Sequence, residues 1–190
     1  MNTNLLIINN HDSFTYNLVD LIRQFDVPFS VVNVEQLNLD EVDNFSHILI
    51  SPGPDVPSAY PQLFVMLERY QHRKSILGVC LGHQTLCQFF GATLYNLPQV
   101  RHGQAKQIRI TKPNSLLFSD LPDKFKIGLY HSWAISAENF PSELEITAID
   151  DEGIIMAVQH RNLSIYGVQF HPESCISEYG KVVISNWLKV

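Results

Sequence analysis

The apolar positions of this chain follow two rhythms, and each predicts a different kind of element. Leu5-Leu6-Ile7-Ile8, Phe29 to Val34, His47 to Ile50 and Ser75 to Val79 are short, mostly apolar runs that read as strands, those at Leu5 to Ile8 and Ser75 to Val79 as buried ones. Phe14, Leu18, Leu21, Ile22 and Phe25 instead recur at helical spacing behind Asp12-Ser13, a pair that predicts a helix cap, and Pro28 separates this helix from the second strand. A further helix is expected from about Pro61 to Gln71, and another from Cys80 until Gly91 ends it. Strands alternating with helices through the first half predict right-handed crossovers and an α/β fold: a mostly parallel open sheet with helices on both faces.

The second half changes character. Gln104 to Ile110, Leu144 to Ile149, Ile155 to Gln159 and Ile165 to Phe170 are strand-like, with turn signals at Lys112-Pro113-Asn114 and Asp150-Asp151-Glu152-Gly153. Additional antiparallel strands extending or flanking the parallel core are therefore expected. Glu178 to Leu188, apolar at Val182, Val183, Ile184 and Leu188, predicts a closing helix. There is no internal repeat, low-complexity tract or linker, and 190 residues at 45% hydrophobic content support one core, so residues 1–190 are expected to form a single domain.

The chemistry concentrates where the fourth strand meets its helix, at Gly78-Val79-Cys80-Leu81-Gly82. Gly-x-Cys-x-Gly is the nucleophile elbow of Gly-x-Ser-x-Gly hydrolases with sulfur in place of oxygen, and a helix N-terminus at the corner favours a thiolate. Cys80 is thus the candidate nucleophile. Composition changes the picture only by exclusion. The 13 basic and 19 acidic residues give a net charge of -6 without a basic cluster, which argues against nucleic acid. No stretch approaches the roughly 18 apolar residues of a membrane helix and the N-terminus lacks a charged leader, so a cytoplasmic protein without a membrane partner is expected. Cys80, Cys87 and Cys175 are odd in number and show no zinc-like spacing, which predicts neither disulfide, metal nor cofactor. Cys87 and Cys175 are expected to be buried small hydrophobes.

A cysteine nucleophile needs a base and a group that orients it. Of the 8 histidines, His171 in Gly167-Val168-Gln169-Phe170-His171-Pro172-Glu173 is the leading candidate, because residues two apart at a strand end project together and Glu173 can then hold one ring nitrogen. His131 and His83 are the rival bases. The oxygen of an attacked carbonyl also requires donors, expected from the backbone N–H of Leu81 and from Gly53 in the loop Ser51-Pro52-Gly53-Pro54.

At this point the residues resemble a known family, the triad class of glutamine amidotransferases, and in particular the small subunits of anthranilate synthase and aminodeoxychorismate synthase. The resemblance runs through Asn10-His11-Asp12-Ser13-Phe14-Thr15, Ser51-Pro52-Gly53-Pro54, residues 78–84, Tyr130-His131-Ser132 and residues 167–174. It implies a flavodoxin-like open sheet and a glutaminase reaction, in which Cys80 attacks the side-chain amide of L-glutamine and His171, backed by Glu173, protonates the departing ammonia. It further implies that Gly53, Pro54, Gln84, Ser132 and Trp133 hold the glutamine, with Gly53 and Leu81 as the oxyanion hole. His11, Asp55, Trp133 and Arg101-His102-Gly103-Gln104 depart from the usual pattern, the last in a segment that bears on partner choice.

Ammonia is a nucleophile only while unprotonated, so a biosynthetic glutaminase should deliver it through a closed passage. One domain of this size leaves no room for a second substrate site, and the acceptor site is expected on another chain, a chorismate-binding synthase subunit. Aminodeoxychorismate synthase, for folate, is slightly favoured over anthranilate synthase, for tryptophan. The rival readings are a stand-alone thiol hydrolase of gamma-glutamyl compounds and a non-catalytic regulatory subunit.

Overall fold

The computed structural model describes residues 3–190. Its frame is a sheet in which β1 (Leu5–Asn9), β2 (Phe29–Asn33), β3 (His47–Ile50), β4 (Ser75–Val79) and β9 (Ile165–Val168) run parallel. β5 (Leu94–Ile110), β6 (Lys124–Ile135), β7 (Leu144–Asp150) and β8 (Ile155–His160) continue it antiparallel, in the order β2-β1-β3-β4-β9-β8-β7-β5-β6. α1 (Phe14–Ile22), α2 (Pro61–Tyr70), α3 (Leu81–Phe89) and α4 (Gly180–Trp187) cover it. This is the α/β architecture that the two rhythms predict. No helix among the described residues is long and apolar enough to cross a membrane.

The continuous apolar strands are explained by what each face meets. Leu5, Ile7, Leu49, Leu77 and Val79 point to one side, where they pack with Leu18, Val19 and Ile22 of α1 and Val183, Ile184 and Trp187 of α4. Their neighbours Leu6, Ile8, Ile48, Ile50 and Ile76 point to the other, against Leu63, Met66 and Leu67 of α2 and Leu86 of α3. Because successive side chains alternate across a strand, covering both faces requires apolar residues at every position. Burying each of these large aliphatic side chains contributes on the order of 2 kcal/mol.

Several boundaries differ from the sequence expectation for identifiable reasons. Ser13 makes no side-chain cap; Asp12 does the work alone, its Oδ1 accepting the N–H of Phe14 at 2.7 Å. Phe14 leaves the α1 core face and stacks instead on Tyr130 and His171. β6 is a strand that the sequence reading passed over, although buried Phe125 and Ile127 alternate with exposed Lys124 and Lys126 at its start. The first half of β5 is mostly exposed and carries two register breaks, between Asn96/Arg101 and His102/Gln104, so no periodicity marks it. Cys175 is exposed, not buried, because it lies in the loop between β9 and α4; Cys87 is buried as expected.

The parallel register decides where chemistry can occur. Ile8 pairs with Ile50, Ile50 with Gly78, and Val79 with Val168, so β1, β3, β4 and β9 end together and their following loops converge at one sheet edge. α3 can start there only because it lies unusually close to the sheet. A Cβ at Gly82 would sit 2.3 Å from the Ile50 carbonyl oxygen, and one at Gly78 would sit 2.3 Å from the Gly82 carbonyl carbon. Gly82→Ala is therefore expected to lower stability by about 1–3 kcal/mol through overpacking. Urea unfolding checks this, and an unchanged midpoint would mean that α3 has slack to move.

Candidate active site

β4 passes into α3 through the single residue Cys80, whose φ of 52° and ψ of -101° lie outside the regions ordinary L-residues occupy. Such a conformation costs on the order of 1–3 kcal/mol and persists only where its surroundings enforce it. Here they do so from both sides: the Cys80 N–H donates to Val168 O at 2.8 Å, and the Cys80 carbonyl accepts from the Gln84 N–H at 3.0 Å. The residue is at once the last rung of the sheet and the first of the helix. Its sulfur consequently sits at the N-terminal, positive end of the α3 dipole.

The loop after β3 lies against this corner. Asn10 donates from its backbone N–H to Ser51 Oγ at 2.9 Å and from Nδ2 to Ser51 O at 2.8 Å, while Ser51 Oγ donates to Pro52 O. This buried clasp fixes Gly53 so closely that a Cβ there would lie 2.4 Å from Leu81 Cδ2 and 2.8 Å from Asn10 Cβ. Only glycine fits. Gly53, Pro54, Cys80, Leu81, Gln84, Ser132 and Trp133 all line one cavity of about 170 Å³, completed by Asp55, Tyr130 and His131. A larger cleft of about 800 Å³ opens beside His47 and Ser75, the first residues of β3 and β4, at the opposite end of the strands.

His171 and Glu173 stand behind Cys80 and do not line the cavity. Glu173 Oε1 lies 2.7 Å from His171 Nδ1, and both side chains are buried. The geometry that joins them differs from the sequence expectation. β9 ends at Val168, two residues before the predicted limit, and His171-Pro172-Glu173 form a turn in which the carboxylate folds back onto the ring. The His171 N–H donates to Gly128 O at 3.1 Å, tying that turn to β6. Phe14 and Tyr130 wall the imidazole, each with its ring centroid 4.9 Å away.

The histidines separate by their neighbours. Burial pushes the His171 pKa down, but hydrogen bonding to Cys80 and Glu173, reinforced by their charges, outweighs it and raises the value to about 10. Its Nε2 meets no hydrogen-bond partner at standard geometry, although Cys80 is near enough to act on it. His83 lies buried against Gly167, and desolvation, helped by the charge of His131, lowers it to about 3. His131 is lowered to about 4 by desolvation, and its Nδ1 is 2.7 Å from Trp133 O, an atom that only accepts, so Nδ1 carries the proton. Both rival bases are thus neutral near pH 7.

The sequence reading named, within its motifs, but gave no role to the residues that hold these groups: Asn10 and Ser51 under Gly53, Phe14 and Tyr130 around His171, and Gln169. Gln169 is fully buried, with Nε2 3.5 Å from Cys80 Sγ and Oε1 3.0 Å from Gln84 Nε2. A signal for it existed, since a polar residue inside the apolar run from Ile165 to Phe170 is costly unless it is hydrogen-bonded. Among the described residues, Asp150, Asp151 and Glu152 bring acidic ligand atoms together, outside the cavity, and Arg101 and Lys106 already pair with them.

Comparison with known proteins agrees over nearly the whole chain. The family model for glutamine amidotransferase class-I matches residues 6–190. A Haemophilus influenzae protein named "Putative anthranilate synthase component II" is 63% identical over 98% of this chain and 96% of its own length. The "Aminodeoxychorismate/anthranilate synthase component 2" of Bacillus subtilis is 34% identical over 97% of this chain and 95% of its own. Among solved structures, a Thermoplasma acidophilum protein described as a "putative gmp synthase subunit a protein" superposes with a TM-score of 0.88 at 21% identity, covering 100% of this chain and 94% of that one. At that identity it supports the fold alone.

The opposed histidine shifts can be read directly by NMR. His171 should remain protonated well above the usual imidazole range, while His83 and His131 should stay neutral on acidification from pH 7 to 5. Glu173→Gln removes a negative charge that favours the imidazolium and should move the His171 titration to lower pH. An ordinary midpoint near 6.5 for His171 in the unsubstituted protein would contradict the geometry described above.

Proposed function

The chain belongs to the class-I glutamine amidotransferase family, and on that premise we propose that it is the glutaminase component of a chorismate-using synthase, anthranilate synthase in the first instance. The observation that carries this reading is the strained Cys80 corner facing a small cavity, with the His171–Glu173 pair behind the sulfur.

Glutamine lies with its side-chain amide at Cys80 and its α-carbon groups toward Gln84, Ser132 and Trp133. Cys80 Sγ attacks the amide carbon. The oxygen gains negative charge and is held by the backbone N–H groups of Leu81 and Gly53, donors worth roughly a hundred- to a thousandfold each in rate. His171 gives its proton to the departing amine, and ammonia leaves a glutamyl thioester on Cys80. Water, deprotonated by the now neutral His171, attacks the thioester and releases glutamate, returning sulfur and imidazolium to their starting state. Glu173 keeps the ring oriented and favours its charged form throughout.

Two observations support an acceptor on another chain. The cavity of about 170 Å³ is smaller than the roughly 300–1,000 Å³ of pockets that enclose larger ligands, so it suits one amino acid and leaves no place for an aromatic acceptor beside it. The relatives that match this chain along its length are named as second components of synthases. The sequence reading leaned toward the folate pathway; the names lean toward anthranilate, and that is the order adopted. Aminodeoxychorismate synthesis stands as a second reading because the Bacillus subtilis relative carries both names.

In complex with a synthase subunit, Cys80→Ser should reduce glutamine-dependent product formation by at least about a thousandfold while ammonia-dependent synthesis persists. Persistent glutamate release by this variant would refute the nucleophile. Identifying the aromatic product formed with each candidate synthase, chorismate and glutamine separates the two pathways. High glutamine turnover without any synthase would favour the stand-alone hydrolase, and failure of a glutamine-like chloroketone to label Cys80 in the complex would favour a non-catalytic subunit.

A further inference from the structure

We propose that the side-chain amide of Gln169 is a hydrogen-bond donor to the Cys80 sulfur, held in that orientation by a relay of amides that begins at the Trp133 carbonyl. The proposal rests on the reading of Cys80 as nucleophile and adds a group that acts on its reacting atom.

The polarity of the relay follows from one backbone atom. A carbonyl oxygen can only accept, so the Gln84 side chain must present its nitrogen to Trp133 O, 3.0 Å away. The same nitrogen lies 3.0 Å from Gln169, and with one proton given to Trp133 its other proton goes to the Gln169 oxygen. Gln169 is therefore left with only its N–H2 group to face the sulfur, at 3.5 Å, within the longer reach of a bond to sulfur. Trp133 O also takes the Nδ1 proton of His131 at 2.7 Å, so that this bond and the one from Gln84 together occupy its two lone pairs.

Burial gives this contact its force. Gln169 is fully buried and Gln84 nearly so, and an N–H aimed at a charged acceptor away from water is among the stronger hydrogen bonds. The donor favours the thiolate over the thiol and, with the strained backbone, fixes which way the sulfur points. The titratable groups around the sulfur are His171, with Glu173 behind it, Tyr130 and neutral His131 on β6, and Asp55 in the loop after β3, the last three lining the same cavity. Gln169 adds a donor that does not titrate. It also links the wall formed by Trp133 to the nucleophile through a single pair of amides.

The test compares the full-length protein with Gln169→Leu, which removes the donor, and Gln169→Glu, which keeps the oxygen facing Gln84 but turns the donor into an acceptor. Iodoacetamide alkylation of Cys80 is followed against pH by mass spectrometry of the Cys80 peptide, so that exposed Cys175 does not contribute. Both variants should raise the alkylation midpoint by about one pH unit or more, a roughly tenfold loss of thiolate below it, with Gln169→Glu shifted further. In the synthase complex, kcat for glutamine should fall about tenfold with little change in KM. Variants that fold by circular dichroism yet keep the unsubstituted midpoint, or that change KM alone, overturn the role given to Gln169. Failure of Cys80 to alkylate in the unsubstituted protein would instead count against the nucleophile itself, so the two failures are distinguishable.

Discussion

The structure depends on a backbone that changes direction at one residue. Cys80 can hold its strained, positive-φ conformation because the sheet claims its N–H and the helix claims its carbonyl, and because α3 approaches the sheet at a distance that only glycine permits at positions 78 and 82. The strain is local and the support is global, since Val168 lies far along the chain and reaches Cys80 only through the β4–β9 pairing. Once this corner is set, Leu81 and Gly53 become neighbours, and the sulfur projects from the sheet edge where the other strands also end.

The electrostatics follow from one rule with two outcomes. The four buried histidines, His47, His83, His131 and His171, all meet desolvation, which disfavours charge, but only His171 has a buried carboxylate and the cysteine sulfur beside it. Its imidazole is held charged, whereas His83 and His131 are held neutral. Neutrality has its own use at His131, whose remaining proton helps anchor the Trp133 carbonyl from which the amide relay starts. Where these buried groups are paired, as at His131 Nδ1, Gln84 and Gln169, the pairing fixes tautomer and amide orientation together.

The two halves of the sheet divide the labour. The parallel half supplies the corner, the Asn10–Ser51 clasp and the loop that carries His171, while the antiparallel half supplies Tyr130 to Trp133 as the opposing wall. The turn holding His171 is tied to β6 through Gly128 and to Tyr130 through Ser174, so the positions of the wall and of the imidazole are coupled.

The sequence by itself determined the order of the elements through α3, the two-faced burial of β1, β3 and β4, and the glycine-flanked cysteine between β4 and α3. Those features are local: apolar periodicity, glycines flanking a cysteine and a histidine two residues from a glutamate are visible in short windows. Tertiary structure decided the rest, because it depends on which distant segments meet. It made β5 an extended strand despite its exposed positions, placed Cys175 at the surface, and joined Glu173 to His171 across a turn. It also made Gln169, a polar residue in an apolar run, a neighbour of the sulfur. Hydrogen-bond partners and desolvation are set by neighbours remote in sequence, and no pattern within a single window contains them.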